Sequence, residues 1–568
     1  MLINVSPILP LGEGRAEGRY GKITSMISVS LNNIHLILGA RTIFRGLSWE
    51  IQHDQKIGLI GPNGAGKSSL FKLITGEYNA EKGGSIVRAR RVRVGYLAQE
   101  PALDPEQTGF NAALNGNARV AEVKAELEAV EASLGNEEVY GNLKRLSRAL
   151  ERQQGLLEEF QTLGGDQYTE RVKALLRDLG LAEGEELKPM QVLSGGQKKL
   201  IGLARLLLSA PEVLLLDEPD NHLDLAGKTY LERFIQNYPG AVVIISHDRY
   251  LLDAVVTHVA EMEDGCLTTF EGDYSSFIID KQQRMARQNG LYHVQQRQIT
   301  RIETAIKRYA LWAKTYDSEK FAKRAKAIQN RLDKMDRVEK PLMERRRMEL
   351  RLHGWRGSQK VLEYKDVSKS FERRQVLKHV NFVLHHGERV GVIGPNGAGK
   401  SVLLRLALGL MQPDAGDVIV GPSIAPGYYA QEHETLNPDQ TVLDAVRLAG
   451  SMSESSAVAF LGRYLFTYKQ TAQKIAELSG GERSRLQLAL VVLSKSNFLL
   501  LDEPTNNLDI ASAEVLEDAL AEFEGTALII SHDRYFLDQA VDRILTLEDG
   551  RLSSHAGGYS EWLREKSI

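Results

Sequence analysis

GPNGAGKS stands at Gly61–Ser68 and again, letter for letter, at Gly394–Ser401, a displacement of 333 residues in a chain of 568. Each copy follows a short apolar run, Lys56–Ile60 and Arg389–Ile393, with the length of a buried strand. A glycine-rich turn between strand and helix lets successive backbone N–H groups converge on phosphate oxygens, helped by the positive helix N-terminus. In that geometry Lys67 and Lys400 reach the β and γ phosphates, and Ser68 and Ser401 offer hydroxyls to Mg²⁺. The loops therefore comprise Gly61, Pro62, Asn63, Gly64, Ala65, Gly66, Lys67 and Ser68, then Gly394, Pro395, Asn396, Gly397, Ala398, Gly399, Lys400 and Ser401. One loop says only that a nucleotide binds. Two say that a nucleotide-binding module is duplicated.

Working outward, LSGGQ at Leu193–Gln197 pairs with LSGGE at Leu478–Glu482, LLLDEP repeats at Asp217 and Asp502, and IISHDRY repeats at His247 and His532. These pairs are all displaced by 285, so the first copy carries 48 extra residues. Gln99 and Gln431, displaced by 332, confine the insertion to the stretch between Gln99 and Ser194. The organisation is module, linker, module.

The apolar runs ending at Asp217-Glu218 and Asp502-Glu503 read as buried strands that deliver paired carboxylates at their C-terminal ends, where open α/β sheets place ligands. Asp217 and Asp502 are suited to hold the water shell of a metal. Glu218 and Glu503 are suited to accept a proton from attacking water. His247 and His532 follow further aliphatic runs at equivalent places in both copies and read as γ-phosphate sensors.

In this order the P-loop, the glutamine after a strand, LSGGQ, LLLDEP and the switch histidine resemble the motif set of ABC-type ATPases, over about residues 27–273 and 360–563. The resemblance implies ATP and Mg²⁺ as ligands, with Gln99 and Gln431 joining Ser68, Asp217, Ser401 and Asp502 at the metal. It also implies that the LSGGQ of one module closes over the ATP of the other. Ser479, Gly480, Gly481 and Glu482 then complete the first site, and Ser194, Gly195, Gly196 and Gln197 the second. Both sites keep their base, lysine and histidine, so both are expected to hydrolyse ATP. The aromatic that stacks on adenine in that family matches Phe371 in the second module, whereas Leu38 stands there in the first. Asp220 stands where the second copy has Thr505, and His222 where it has Asn507.

Between Lys281 and Arg351 lie 20 Lys+Arg and 8 Asp+Glu, a net of +12 within a chain of net charge −3. Such segregation is the footprint of a polyanion contact. Ile299, Ile302, Ile306, Tyr309 and Trp312, then Phe321, Ala325, Ile328, Leu332 and Met335, step by three and four, predicting two amphipathic helices. A break near Thr315–Ser318, with Asp317 or Ser318 as N-cap, folds them into an antiparallel hairpin of roughly 30-residue arms reaching about 45 Å. Lys320, Lys323, Arg324 and Lys326 cluster beside its tip, with Trp312 and Tyr316 near enough to stack on exposed bases, a pattern that points to RNA.

The stretch SEKFAKRAKAIQNRLDKM further resembles the linker of the ABC-F family, tandem ABC ATPases without membrane domains that act on ribosomes. That resemblance implies the ribosome as partner, with rRNA and peptidyl-site tRNA against the linker. In the insertion, Val123, Leu127, Val130 and Leu134, then Leu143, Leu146 and Leu150, repeat the helical signal and resemble that family's arm. Its Ala121–Phe160 portion holds nine acids and five bases, which favours a basic ribosomal protein over RNA.

The expected fold is α/β: two ABC-type P-loop ATPase domains joined by an α-helical hairpin linker, with a helical arm inserted in the first domain. The expected divisions are a leader at 1–25, the first domain at 26–273 with its arm at about 111–160, the linker at 274–359 and the second domain at 360–568. The single Cys266 excludes an internal disulfide and cysteine-based zinc or iron–sulfur sites. No apolar run approaches the 18 or more residues of a spanning helix. A cytoplasmic monomer whose two domains pair within the chain, with no membrane partner, is expected. A ribosome-protection resistance factor is the alternative. A transporter subunit and a DNA-repair ATPase fit less well, the first for want of a use for the basic hairpin, the second for want of a long coiled-coil insertion.

Overall fold

The computed structural model describes residues 26–566 apart from 40, 82, 91, 100, 102, 137, 138, 140, 222, 317, 318, 336–347, 372, 373 and 432. The leader at 1–25, the cap candidates Asp317 and Ser318, and His222 lie outside the described residues. The chain divides into two compact units, one formed by the residues up to Asp273 together with those from Met348, the other by Tyr274–Arg347.

In the first unit each module is built on a six-stranded sheet. The first sheet runs Val94–Leu97, Val213–Asp217, Ala241–Ile245, Lys56–Ile60, His258–Glu263, Cys266–Glu271. Its first five strands are parallel and the last is antiparallel. The second module repeats this order with Pro426–Tyr429, Phe498–Asp502, Thr526–Ile530, Arg389–Ile393, Arg543–Glu548 and Arg551–Ala556. Every residue of Lys56–Ile60, Val213–Asp217 and Ala241–Ile245 is buried, because parallel strands covered on both faces need a continuous apolar run rather than alternation. The P-loop strand therefore sits inside the sheet, one strand (Ala241–Ile245) away from the strand carrying the paired carboxylates, and because all three are parallel their C-terminal ends share one edge.

A three-stranded antiparallel sheet accompanies each module, ordered Arg41–Gln52, Ile27–Leu38, Ser85–Arg88 in the first and Arg374–His385, Lys360–Phe371, Ala415–Val420 in the second. Its inner faces supply Val29, Leu31, Phe44 and Ile51, and Val361, Tyr364, Val367 and Leu384, which cover the P-loop helices Lys67–Thr75 and Lys400–Ala407.

The insertion in the first module folds as the helices Ala118–Leu134 and Leu143–Thr162. Their shared core is Val120, Val123, Leu156 and Phe160, with Leu127 and Val130 against it. Of the leucines that carry the helical signal, Leu143 is 84% exposed and Leu150 48%. The inner row of the second helix passes through Leu146, Ala149, Gln153, Leu156 and Phe160, while Leu143, Leu150 and Leu157 form a row on the outer face. Leu143, Leu146 and Leu150 by themselves fit either phase, and only the downstream Phe160 decides between them.

The second unit is a pair of helices, Tyr274–Thr315 and Glu319–Asp333, either side of the expected break. The first has 42 residues, longer than the expected arm, and spans about 63 Å at 1.5 Å per residue. Phe321 packs against Tyr309, whose ring stacks at 6.3 Å, and against Trp312, edge-on at 5.7 Å.

Candidate active sites

Each P-loop makes a turn that side chains resist. Gly66 and Gly399 cap the following helices with φ of 104° and 102°. A Cβ on Gly61 would meet the Met262 carbonyl oxygen at 2.4 Å, and one on Gly394 the Leu547 carbonyl oxygen at 2.3 Å. Lys67 Nζ donates to the carbonyls of Gly61 at 2.7 Å and Pro62 at 3.2 Å. Lys400 repeats this with Gly394 at 2.8 Å and Pro395 at 3.0 Å. Burial lowers both lysine pKa values, and the nearby carboxylates Glu218 and Glu503 work against that.

The paired carboxylates stand opposite. Ser68 hydrogen-bonds Asp217, and Ser401 hydrogen-bonds Asp502; burial raises both aspartate pKa values against those bonds. Glu218 and Glu503 both adopt φ of 50°, a left-handed conformation uncommon away from glycine. Their N–H groups continue the sheet by donating to Ile245 and Ile530 at 2.8 and 2.9 Å. Gln99 Nε2 and Asn221 Nδ2 donate to Glu218 Oε2 at 3.1 and 2.8 Å.

The Glu503 carboxyl, taken from water by burial, has its pKa pushed up to about 7, and burial likewise raises that of Glu218. His247 Nε2 lies 3.7 Å from Glu218 Oε1, and His532 Nε2 3.6 Å from Glu503 Oε1. Neither contact is ionic near neutral pH. Burial, then the charge of Lys67, takes His247 down to about 3, and burial with Lys400 takes His532 well below its usual value.

The signature segments open helices. In LSGGQ the Ser194 hydroxyl accepts from Gln197 N–H while Gln197 Oε1 accepts from Ser194 N–H, a reciprocal capping box. Ser479 and Glu482 form the same box at Gly480–Leu493. A cavity of 550 Å³ brings Ser194 and Gln197 of the first module into one space with Phe371, Asn396, Gly397, Gly399, Lys400, Ser401, Gln431, Asp502, Glu503 and His532 of the second. Pro395 and Ala398 border an adjacent cavity. On the other side, Asn63 N–H donates to Asp509 Oδ2 at 3.3 Å, and Asn63 Nδ2 to the Asn507 carbonyl at 3.2 Å. A Cβ on Gly481 would stand 2.9 Å from Asn63 Nδ2. The two modules thus meet head to tail within one chain.

Sequence reasoning missed the residues that fasten this meeting. Arg249 pairs with Glu517 at 3.0 Å and lies over the Tyr535 ring at 4.2 Å. Arg534 pairs with Glu232 and lies over the Tyr250 ring at 5.2 Å. Asn396 N–H donates to Asp224 Oδ2 at 3.3 Å, mirroring Asn63 and Asp509. Each pair is internally repeated, the arginines, glutamates, tyrosines and aspartates at the 285-residue displacement and the asparagines at 333, the one signal that could have found them.

Among the residues singled out for RNA, Lys320, Lys323, Arg324 and Lys326 are all exposed on Glu319–Asp333. Lys323 pairs with Glu319 at 3.0 Å, and Arg324 lies over the Tyr309 ring at 5.6 Å. Trp312 is half-buried against Phe321 and so spent on the hairpin, whereas Tyr316 is 67% exposed. Phe371 borders the 550 Å³ cavity, 42% exposed, and Leu38 is 37% exposed on Ile27–Leu38.

A duplicated P-loop backed by buried paired carboxylates and faced head to tail by the partner module's helix N-terminus defines a tandem ATPase of the ABC type. The ABC transporter family matches residues 44–221 and 377–506, and an extension, also described as ABC transporter, matches 260–352. The chain is 35% identical to the putative ATP-binding protein YdiF of Bacillus subtilis, over 95% of this chain and 83% of that protein. It is 34% identical to ABC transporter F family member 5 of Arabidopsis thaliana, over 95% and 78%. It is also 34% identical to the energy-dependent translational throttle protein EttA of Escherichia coli K12, over 92% of each. An archaeal ribosome recycling factor, aABCE1, shares the fold with a TM-score of 0.60 at 17% identity, covering 94% of this chain and 92% of that one. The chain belongs to the ABC-F family and is an ATPase. Among the described residues no helix is long and apolar enough to cross a membrane.

Proposed function

We propose that this ATPase acts on ribosomes in the cytoplasm, as a monomer, using closure of its two modules on ATP to bring the basic hairpin against rRNA and peptidyl-site tRNA and so tune translation. The observation that carries the reading is the segregated charge of the hairpin, +12 over Lys281–Arg351 against −15 in the rest of the chain. It is supported by 34% identity to a protein named as a translational throttle. That name favours a translation factor over a resistance factor.

Each site would take one ATP with Mg²⁺. The donor set suits a hard cation: Ser401 beside Asp502, Gln431 bordering the same cavity, and Asp502 Oδ1 buried with no hydrogen-bond partner among the described residues. When bound, Mg²⁺ supplies neutralisation of phosphate charge. Glu218 and Glu503 accept the proton of attacking water, a role suited to a carboxyl drawn toward neutral pKa by burial. Neutral His247 and His532 contact the γ-phosphate, and the opposite signature helix covers it. Sedimentation of the protein with ribosomes under ATP and under ADP tests the proposal. Co-sedimentation that depends on ATP is expected; none under either nucleotide overturns it.

A further inference from the structure

The interface between the modules is close to two-fold symmetric, and the buried cation Lys228, which reaches across it, breaks that symmetry. Arg249–Glu517 mirrors Arg534–Glu232, and Asn63–Asp509 mirrors Asn396–Asp224. Lys228, on the helix Leu225–Gln236, has no mirror, because the equivalent position in the second module is the buried Ala513. Its ammonium donates to Asp248 Oδ2 at 2.8 Å and, across the interface, to the main-chain carbonyl of His532 at 2.9 Å.

Two neighbouring differences belong with it. Asp220 replaces Thr505, and burial raises the pKa of its carboxyl, with the charge of Lys228 working against that. Asp248 is held below the usual carboxylate range, because Lys228 and Arg534 together outweigh its burial. Its counterpart Asp533 is pushed up by burial and by the charge of Asp248. Lys228 is nearly inaccessible to solvent, so burial opposes its charge, and the carboxylates of Asp248 and Asp220 more than offset that. A buried ion held in this way costs little only while all its partners are in place. Opening the interface removes the His532 carbonyl from the set. Closure therefore completes the shell of Lys228, and completing it fixes the main chain of the histidine that stands 3.6 Å from Glu503.

We propose that Lys228 is a positioning residue for the second ATP site alone: from the first module it fixes the His532 backbone on closure, and the first site has no equivalent. The inference rests on the assignment of Glu218 and Glu503 as the bases of the two sites. It makes the second site the one whose chemistry is tied to closure by a buried charge.

The test uses the full-length protein in two backgrounds. Glu218→Gln leaves the second site to report turnover, and Glu503→Gln leaves the first. Into each is placed Lys228→Ala with Asp220→Thr, the pairing the second module itself carries, so that no charge is stranded. The expected result is a fall in kcat of about tenfold or more in the Glu218→Gln background. The loss in the Glu503→Gln background should be at least about threefold smaller, with KM for ATP within about twofold in both, since Lys228 acts through His532 and not on nucleotide. Asp220→Thr alone, which keeps the lysine and both its bonds, should retain most of the second-site kcat. Equal losses in the two backgrounds, or a change in KM only, overturn the proposal. Should the double variant fail to fold, Lys228→Met keeps the buried stem, removes the donor and is read in the same way. The Glu218→Gln, Glu503→Gln control separates the two ideas. If it still turns over, the base assignment has failed; if it is inert and the lysine variants are not site-selective, only the role of Lys228 has.

Discussion

Gln470 Nε2 donates to Glu482 Oε1 at 2.5 Å, and in the first module Gln197 Nε2 donates to Glu185 Oε2 at the same 2.5 Å. Amide and carboxylate have changed places while the bond between signature helix and preceding turn is kept. The glutamate that departs from LSGGQ is therefore half of an exchanged pair. Glu482→Gln alone should cost about 1 kcal/mol of stability through loss of a charge-assisted bond. Adding Gln470→Glu should return most of it. Denaturant midpoints of the four proteins in this cycle measure the coupling, and additive effects would contradict it.

Replacing Glu218 and Glu503 together by glutamine should lower ATP turnover by about two to four orders of magnitude while nucleotide binding persists. The protein should then remain closed on ribosomes. Turnover near the parent rate would show that the proton acceptors lie elsewhere.

The second site should lose activity on acidification through neutrality. Only the ionised Glu503 can accept a proton, and burial takes its pKa to about 7. The histidines do not oppose this trend, since His247 at about 3 and His532, well below its usual value, stay neutral over the same range. In the Glu218→Gln background kcat should rise from pH 6 to pH 8 with a midpoint near 7. A profile flat to pH 5.5 would rule the carboxyl out as base.

Leu38 lacks the ring that Phe371 offers at the equivalent place. Leu38→Phe should tighten ATP at the first site by about 1 kcal/mol, roughly fivefold, on the scale of an aromatic stack. Titration of the Lys400→Ala variant, in which the first site alone keeps its lysine, reads this directly.

Changing Lys320, Lys323, Arg324 and Lys326 to glutamate moves eight charge units on an exposed helix face and leaves the ATP sites untouched. Basal ATPase should survive. Ribosome binding should weaken and its dependence on salt flatten, because fewer counterions are released when fewer phosphates are neutralised. Binding equal to the parent across a salt series would reduce the hairpin to a spacer.

The parts of this molecule that were readable in the sequence are those in which chemistry fixes residue type at short range. Gly61 and Gly394 are required because any Cβ would strike a strand carbonyl, and the runs before Asp217 and Asp502 are apolar because both faces of the sheet are covered. What could not be read depends on partners hundreds of residues away. Arg249 and Glu517 are 268 positions apart, and each alone is an ordinary charged residue on a helix. Helix phase in the insertion was not legible for a related reason: Leu143 and Leu150 satisfy the 3.6-residue period as well as the buried row does, and Leu156 and Phe160 settle which row packs. Trp312 carries two readings, a place on the apolar row of the hairpin and a surface for a base, and its contact with Phe321 across the hairpin decides for the first.

Asp224 and Asp509 each hold two things with one carboxylate: one oxygen accepts the N–H of Gly227 or Ser512 in the aspartate's own helix, and the other accepts the P-loop N–H of the opposite module. The end of a helix and the mouth of a nucleotide site are thus soldered at a single atom group. Loss of the whole group would fray the one and unseat the other together, whereas asparagine, with one accepting oxygen, could keep only one of the two bonds. Under the proposed closure on ATP, the same carboxylate serves its own helix throughout and the opposite P-loop only when the halves meet.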